Sequence, residues 1–449
     1  MQNRVRGILG STLAKRCLLV ATSGVVLVAL SAAPAISASG TATPARNQVS
    51  EAAALPGSGT ITFWDEWTGG SAHEGMAFAI QQWDKLHPNW RVSERAIPND
   101  SYFAASRTGM AGNNPPDVLQ YEGYESTQGY AEAGELMNLG SLWDQVSSRY
   151  IGPNSPEING ACTYRGITYC IPWDWDNQSF LYWNESVLHK YHISPPTTFE
   201  AMLQDAKTLK ADGEIPFALS DSDGWPGMHW YFEFVGQFCG LKTQDSAVLR
   251  TGSKWNDPCF VKSANLLASL VKDGYFPTGF VGENYNVQVT LLESGKAAMA
   301  EDGVWLYEPP VTNIGAERFP AIAGAPYNAT SGWVGSTLGI PQKAKDPTEA
   351  FAFLKFMATN PAIAAQFAKD GDPMTLWGAN SHLPTLDAKL VETVANLPQS
   401  PPADEVLPFA VGNTDLYALG QGLLSGKLTG LQFSNQLEAD AAKAGPGAG

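Results

Sequence analysis

The strongest constraint on this chain is the alternation of strand-like and helix-like apolar patterns that begins near residue 59. Ile61-Thr62-Phe63-Trp64 is a β-branched and aromatic run that ends in the polar pair Asp65-Glu66. Met76, Ile80, Trp83 and Leu86 follow near a 3.6-residue spacing, which predicts an amphipathic helix. Trp90-Arg91-Val92-Ser93 predicts the next strand, and Asp117-Val118-Leu119-Gln120-Tyr121, entered through Pro115-Pro116, predicts a third. Strand, helix and strand in succession favour a parallel α/β sheet, because parallel neighbours need a crossover long enough to hold a helix. Two later helix starts fit the same class. Thr197 and Glu200 have capping-box spacing, ahead of the stripe Phe199, Met202, Ala206 and Leu209. Asp346, Pro347 and Glu349 supply an N-cap, a first-turn proline and an acidic third position. Ala350, Phe353, Leu354 and Met357 continue that helix, and Asn360-Pro361 ends it. Both stripes are expected to face the core.

With 449 residues, 44% hydrophobic and 16% charged, the chain can bury a large core in two or three domains, which excludes general disorder. Its amino terminus reads as an address. Residues 1–38 hold Arg4, Arg6, Lys15 and Arg16 and no acid; an apolar run from Cys17 to Ala33 and A-x-A-like sites at Ala33-Pro34-Ala35 and Ile36-Ser37-Ala38 complete a secretory signal layout. An uncleaved anchor is the rival, disfavoured because the run is short for a membrane span. Cys17 stands at the start of the run, so no lipobox is recognised and lipidation is not supported. Residues 39–58 read as a flexible leader, and 441–449 as a flexible tail.

Export makes disulfides the natural state of the four remaining cysteines. Three pairings are open. Cys162–Cys170 with Cys239–Cys259 is favoured, because Tyr164-Arg165-Gly166 looks like a hairpin turn joining the first pair; four buried free thiols are the alternative. Without residues 1–38 the chain sets 24 basic against 44 acidic side chains, a net charge of −20. Such a surface repels phosphate backbones and anionic headgroups, so neither nucleic acid nor a membrane surface is an expected partner.

Motifs for nucleophilic or cofactor chemistry are missing. His189 and His192 lack further ligands, Asp221-Ser222-Asp223-Gly224 has its glycine too early for a calcium loop, and no P-loop, G-x-S-x-G or G-x-G-x-x-G occurs. No metal or cofactor is therefore expected. Acids interleaved with aromatics are present instead: Trp64-Asp65-Glu66-Trp67, Tyr121-Glu122-Gly123-Tyr124, Trp173-Asp174-Trp175-Asp176, Asp223-Gly224-Trp225 and Glu301-Asp302-Gly303-Val304-Trp305. Aromatic faces cover the C–H side of a sugar ring while carboxylates accept from its hydroxyls, so the mixture suits a neutral polyhydroxylated ligand. Taken singly, each such tryptophan is more often core than ligand platform.

The order of these segments resembles the extracellular solute-binding proteins of ABC importers, in the carbohydrate-binding group related to maltose-binding protein. The resemblance is carried by Ile61-Thr62-Phe63-Trp64, Pro116-Asp117-Val118-Leu119 with Leu136-Met137-Asn138-Leu139, and Gly166-Ile167-Thr168-Tyr169-Cys170-Ile171-Pro172 with Leu181-Tyr182-Trp183-Asn184-Glu185. It continues through Pro195-Pro196-Thr197-Thr198-Phe199, Gly295-Lys296-Ala297-Ala298-Met299 with Gly303-Val304-Trp305, and Gly335-Ser336-Thr337-Leu338-Gly339-Ile340, from about residue 59 to 430. It implies a two-lobed, periplasmic-binding-protein-like α/β fold (type II) with the ligand in a cleft between lobes. Three hinge crossings are expected near Asp174–Gln178, Trp333–Ser336 and Trp377–Pro384. One lobe would hold 59–174 and 337–377, the other 178–333 and 384–440.

The resemblance also implies the site. Asp65 and Glu66 follow the first strand, Tyr121 and Glu122 stand where an aromatic platform follows the third, and Asp174 and Asp176 lie at the first crossing. Trp305 corresponds to a tryptophan that stacks on sugar from the other lobe, while Trp225, Gly335 and Ser336 match by neighbourhood. The implied function is binding of a mono- or oligosaccharide by hinge closure and its delivery to the permease subunits of an ABC importer, by an exported monomer that is not an enzyme. The sequence departs from the family pattern in lacking a lipobox. A secreted glycoside hydrolase using Asp174 with Asp176, or Glu301 with Asp302, is the rival, and a free extracellular sugar sensor a third reading.

Overall fold

The computed structural model describes residues 55–150, 160–306, 313–376, 378–394 and 397–447. The signal segment 1–38, the leader up to residue 54, Trp377 of the third expected crossing and residues 448–449 of the tail lie outside them. The first sheet starts with β1 (Gly59–Asp65), β2 (Trp90–Ala96) and β3 (Val118–Glu122), parallel to one another with β1 in the middle. The helix Gly70–Leu86 connects β1 to β2, as the sequence predicts, and buries Met76, Ala79 and Trp83 against Ile61 and Phe63.

Further along lie β4 (Thr163–Tyr164) and β5 (Ile167–Thr168), paired antiparallel across Arg165 and Gly166. Both turn residues have positive φ, 49° and 76°, the geometry of a two-residue hairpin. This turn brings Cys162 to Cys170, with an S–S distance of 1.96 Å; Cys239 and Cys259 lie 2.14 Å apart, sulfur to sulfur.

The chain then leaves the first sheet through β6 (Cys170–Pro172), passes β7 (Trp175–Asn177) and joins a second sheet at β8 (Phe180–Asn184). With β9 (Ile215–Phe217), β10 (Ala297–Asp302) and β11 (Ile314–Arg318), that sheet has the order β11-β8-β10-β9. All five residues of β8 are buried, because Leu181 and Trp183 enter one core while Phe180 and Tyr182 enter another on the opposite face. The larger core contains the helix Trp225–Phe238, apolar on nearly every side and almost wholly buried.

The return runs through β12 (Thr330–Val334) into β13 (Ser336–Gly339), which lies antiparallel between β3 and β6 and completes the first sheet, β2-β1-β3-β13-β6. Finally β14 (Gln399–Ser400) joins β12 and β7 in a three-stranded sheet between the two larger ones. A third passage lies at Pro384, since Leu383 packs on the core of the first sheet while Leu386 packs on a core of the second. The fold is thus α/β and two-lobed, with crossings through β7, between β12 and β13, and at Pro384.

Helix boundaries shift slightly from expectation. Thr198, not Thr197, caps the helix Phe199–Ala211, its Oγ1 accepting from the Ala201 amide at 3.1 Å. The capping box does not form, because with Thr198 as the N-cap the third helical position is Ala201, which has no side-chain acceptor, and Glu200 Oε1 accepts from the Ala323 amide. The predicted stripe Phe199, Met202, Ala206 and Leu209 is buried. Pro347–Thr359 buries Ala350, Phe353, Leu354 and Met357, and Asn360 both ends it and caps the next helix through the Ala362 amide. The last helix, Gly430–Ala444, continues past residue 440, and the Gly447 amide donates to the Val248 carbonyl. Among the described residues no helix is long and apolar enough to cross a membrane.

Candidate functional site

Strand alternation decides which side chains of β3 reach the crossings. Gln120 and Glu122 share a face, and antiparallel pairing sets Ser336 of β13 directly opposite Glu122. Gln120 Nε2 donates to Glu66 Oε1 at 2.9 Å and to Ser336 Oγ at 3.1 Å, and the Ser336 amide donates to Asp174 Oδ1 at 2.6 Å. One continuous network therefore ties the loop after β1, strands β3 and β13, and the first crossing.

Gly335 makes the convergence possible. A Cβ there would meet Asp176 Oδ2 at 2.1 Å and Asp174 Oδ1 at 2.7 Å, so both carboxylates close on one bare stretch of backbone. Gly335→Ala is expected to weaken ligand binding about tenfold and to cost ~1–3 kcal/mol of stability by overpacking. Calorimetric titration and urea unfolding would measure the two effects. Unchanged affinity would show that this approach is not needed for binding.

Burial first, and then their acidic neighbours, raise the carboxyls of this group. Burial, followed by Glu405, Glu66, Asp176 and Asp174, raises the Glu122 carboxyl well above the ordinary range. Burial and then Asp176 and Asp372 do the same to Asp174, and burial with Asp372 and Glu66 pushes Asp176 up to about 8. Glu405, on the short helix Ala403–Val406, is raised by burial and then by Glu125, Asp404, Asp176 and Glu66.

An aromatic wall adjoins this group. The helix Trp225–Phe238 begins after Gly224, whose φ of 86° and close contact with Tyr417 exclude a side chain. Asp223 Oδ2 accepts from the Tyr285 amide at 2.8 Å, and the Trp225 and Tyr285 rings lie 4.7 Å apart. Trp305 stands edge-on to Trp225 at 5.9 Å and to Trp333 at 6.0 Å, with His229 at 5.6 Å. A Cβ on Gly303 would lie 2.2 Å from the Trp305 ring, so that glycine lets the indole fold back. Trp333 pairs with Asp176 across β12 and β7, and the turn Val304–Leu306 packs on β7, which joins the aromatic wall to the acid one. Trp225 and Trp305 remain partly exposed.

Residues 69–364 match the family model of the bacterial extracellular solute-binding proteins. The chain belongs to this family. This solute-binding protein is 23% identical over 308 residues to an uncharacterized ABC transporter extracellular-binding protein of Pyrococcus horikoshii, a match covering 65% of this chain and 66% of that relative. It is 24% identical over 310 residues to the multiple sugar-binding protein of Streptococcus mutans, covering 67% and 71%. A structure solved in a study of xylan utilization by Caldanaerobius polysaccharolyticus superposes with a TM-score of 0.78 at 27% identity, covering 85% of this chain and 99% of that one. The family is one of binding proteins.

In this solute-binding protein Glu66, Glu122, Asp174, Asp176, Gly335 and Ser336 come together, and Trp225 and Trp305 form the adjoining wall. Two residues take other places. Asp65 continues the buried face of β1 after Ile61 and Phe63; it is fully buried, accepts from the Trp67 amide at 3.0 Å, and is pushed to about 8 by burial and then Glu94. Tyr121 points away from Glu122 into a core with Tyr102, Leu119 and Tyr130, because neighbours on a strand face opposite sides. Glu301 is likewise interior.

Sequence reading gave no role to Gln120 or Glu405, and named Tyr124 and Trp333 only within an acid–aromatic cluster and an expected crossing. The two-residue repeat of β3 signals Gln120 once Glu122 is chosen. Tyr124, at a φ of 47° that a bulky residue seldom adopts, packs against the cores of both lobes. Nothing local marks Glu405.

Proposed function

We propose that this protein captures a mono- or oligosaccharide between its lobes and delivers it to the permease subunits of an ABC importer, as an exported monomer that performs no chemistry on its ligand. The observation that carries this reading is the junction of two unlike walls at the Trp333–Asp176 pair: partly exposed indoles on one side and hydrogen-bond-accepting carboxylates on the other. The sugar-binding relative from Streptococcus mutans supports it. The lobes are assigned as 59–174 with 337–377, and 178–333 with 384–440. Asp65 and Tyr121, set back from the two walls, support the site from beneath, while Glu66, Glu122, Asp174, Asp176, Trp225, Trp305, Gly335 and Ser336 face the ligand.

Binding would work as a clamp. Contacts made only when both walls meet the ligand favour the closed form, and moving such an equilibrium from 1:99 to 99:1 takes about 5.5 kcal/mol of preference. Ring stacking and charge-assisted hydrogen bonds are of that size together. The test is a panel of mono- and oligosaccharides followed by thermal shift, tryptophan fluorescence and product analysis. Saturable binding with a raised melting temperature and intact sugar is expected. Cleavage at enzymatic rates would establish the hydrolase instead.

A further inference from the structure

Contacts to a ligand are not the only ones that join the two lobes. Residues 403–417 belong to the second lobe, since Ala403, Val406, Leu407, Val411 and Leu416 are buried in its largest core with Trp230 and Phe433. They fold tightly on themselves. The short helix Ala403–Val406 is followed by a π-helical turn, Val411–Asp415, and the two touch at Gly412, where a Cβ would lie 2.5 Å from the Asp404 carbonyl oxygen. Tyr417 Oη donates to Asp404 Oδ2 at 3.0 Å, and the Tyr417 side chain fills the space beside Gly224, from which the helix of Trp225 starts. The segment is thus anchored at the base of the indole wall.

Its outer edge reaches the first lobe. The Arg107 guanidinium, on the helix Asn99–Ala111 that follows β2, lies over the Phe409 ring at 4.5 Å. Just past the end of β3, Glu125 Oε1 accepts from Asn413 Nδ2 at 3.4 Å, and the same amide donates to the Asp404 carbonyl at 3.5 Å. Tyr124, next to Glu125, packs against the largest cores of both lobes from a backbone held at a φ of 47°. A left-handed tyrosine and a π-helical turn are each rare and unfavourable alone, and here they flank one meeting point. Arg107 is exposed and forms no ion pair among the described residues, and Phe409 is only partly buried. Neither side chain is therefore needed to build its own lobe.

We infer that residues 403–417 form a strap that latches the second lobe to the first beside the ligand, fastened by Arg107 on Phe409 and by Asn413 on Glu125. This rests on the clamp reading above and adds to it a fastening between protein and protein. Such contacts form on closing and break on opening whether or not a ligand is present. They stabilise the closed form and slow the opening that a bound ligand must await, while leaving the first encounter unchanged. A cation over an open ring face, together with one long amide–carboxylate hydrogen bond, amounts to about three- to tenfold in an equilibrium. That is large enough to slow release and small enough to leave the cleft able to open.

The experiment is stopped-flow tryptophan fluorescence of the full exported chain with the tightest sugar of the panel, repeated on Arg107→Ala, Phe409→Ala and the variant carrying both. Each single variant should release the sugar about three- to fivefold faster, with an association rate within about twofold of the parent. The double variant should release it no faster than the singles, because both remove the same contact. Phe409→Trp, which keeps a ring face, should restore slow release. In parallel and without ligand, dyes on Lys369→Cys and Lys427→Cys report the separation of the lobes, and the ratio of closed to open forms should fall in Phe409→Ala by the same factor. Release at the parent rate in Phe409→Ala, or fully additive effects of the two alanines, overturns the strap and leaves the saccharide reading standing. If no sugar binds, the saccharide reading fails and the ligand-free ratio decides alone: an equal ratio in the parent and Phe409→Ala overturns the strap.

Discussion

Trp305→Ala should weaken saccharide binding by roughly 30-fold, a loss of about 2 kcal/mol once a stacked ring and its apolar contact area are both removed. Trp305 is suited to this role because it is partly exposed, is held edge-on by Trp225 and Trp333, and folds back over Gly303 where no side chain intervenes. Its neighbours stay in place without it, since Trp225 is also packed against Tyr285 and Trp333 is fixed in β12. Trp305→Phe, which keeps a smaller face, should fall between the wild type and the alanine variant. Isothermal titration with the tightest sugar of the panel gives the answer, with circular dichroism to show that the fold survives. An alanine variant that binds as well as the wild type would remove Trp305 from the site.

The unliganded protein should melt about 10 °C lower at pH 8 than at pH 5.5, the reverse of a protein stabilised by ionised surface acids. Burial drives the effect. It pushes Asp221 and Asp387 up to about 8 and Asp302 and Asp404 up to about 7, each at most 3% exposed, and Asp65 to about 8 with help from Glu94. The folded protein holds these protons at a pH where the unfolded chain has released them. The resulting stability is complete below the ordinary carboxyl pKa and is lost as pH rises through 7 to 8. Calorimetric scans across that range in low salt measure it, and a melting temperature that is flat or climbs toward pH 8 would contradict the buried protonated state. Asp387, whose two oxygens both lack a hydrogen-bond partner, is the sharpest single probe: Asp387→Asn should flatten part of the slope.

Much of this molecule could be read from local pattern. The strand and helix sequence of residues 59–121 led to a parallel α/β sheet because side-chain period follows directly from backbone geometry. The hairpin around Arg165-Gly166 placed Cys162 beside Cys170 for the same reason. Capping was legible only to within one residue at Thr198, since Thr197 offers the same hydroxyl, and distant partners such as the Ala323 amide compete for Glu200. Site residues divided along one physical line. Glu66, Glu122 and Asp176 stand at strand ends or crossings and come near one another. Asp65 and Tyr121, each adjacent to a residue of the acid group, point the other way because one step along a strand reverses the face.

Local pattern by itself determined the α/β class and the supply of acids and indoles, because those follow from residues near in sequence, while the crossing regions were legible only through the family resemblance. Only the tertiary structure decided that Glu405 joins Glu122, that Trp333 bridges the aromatic and acidic walls, and that Asn413 ties Glu125 to the Asp404 backbone in the interior. Charge and burial act through space, and the distance between two carboxylates depends on the path of the whole backbone between them.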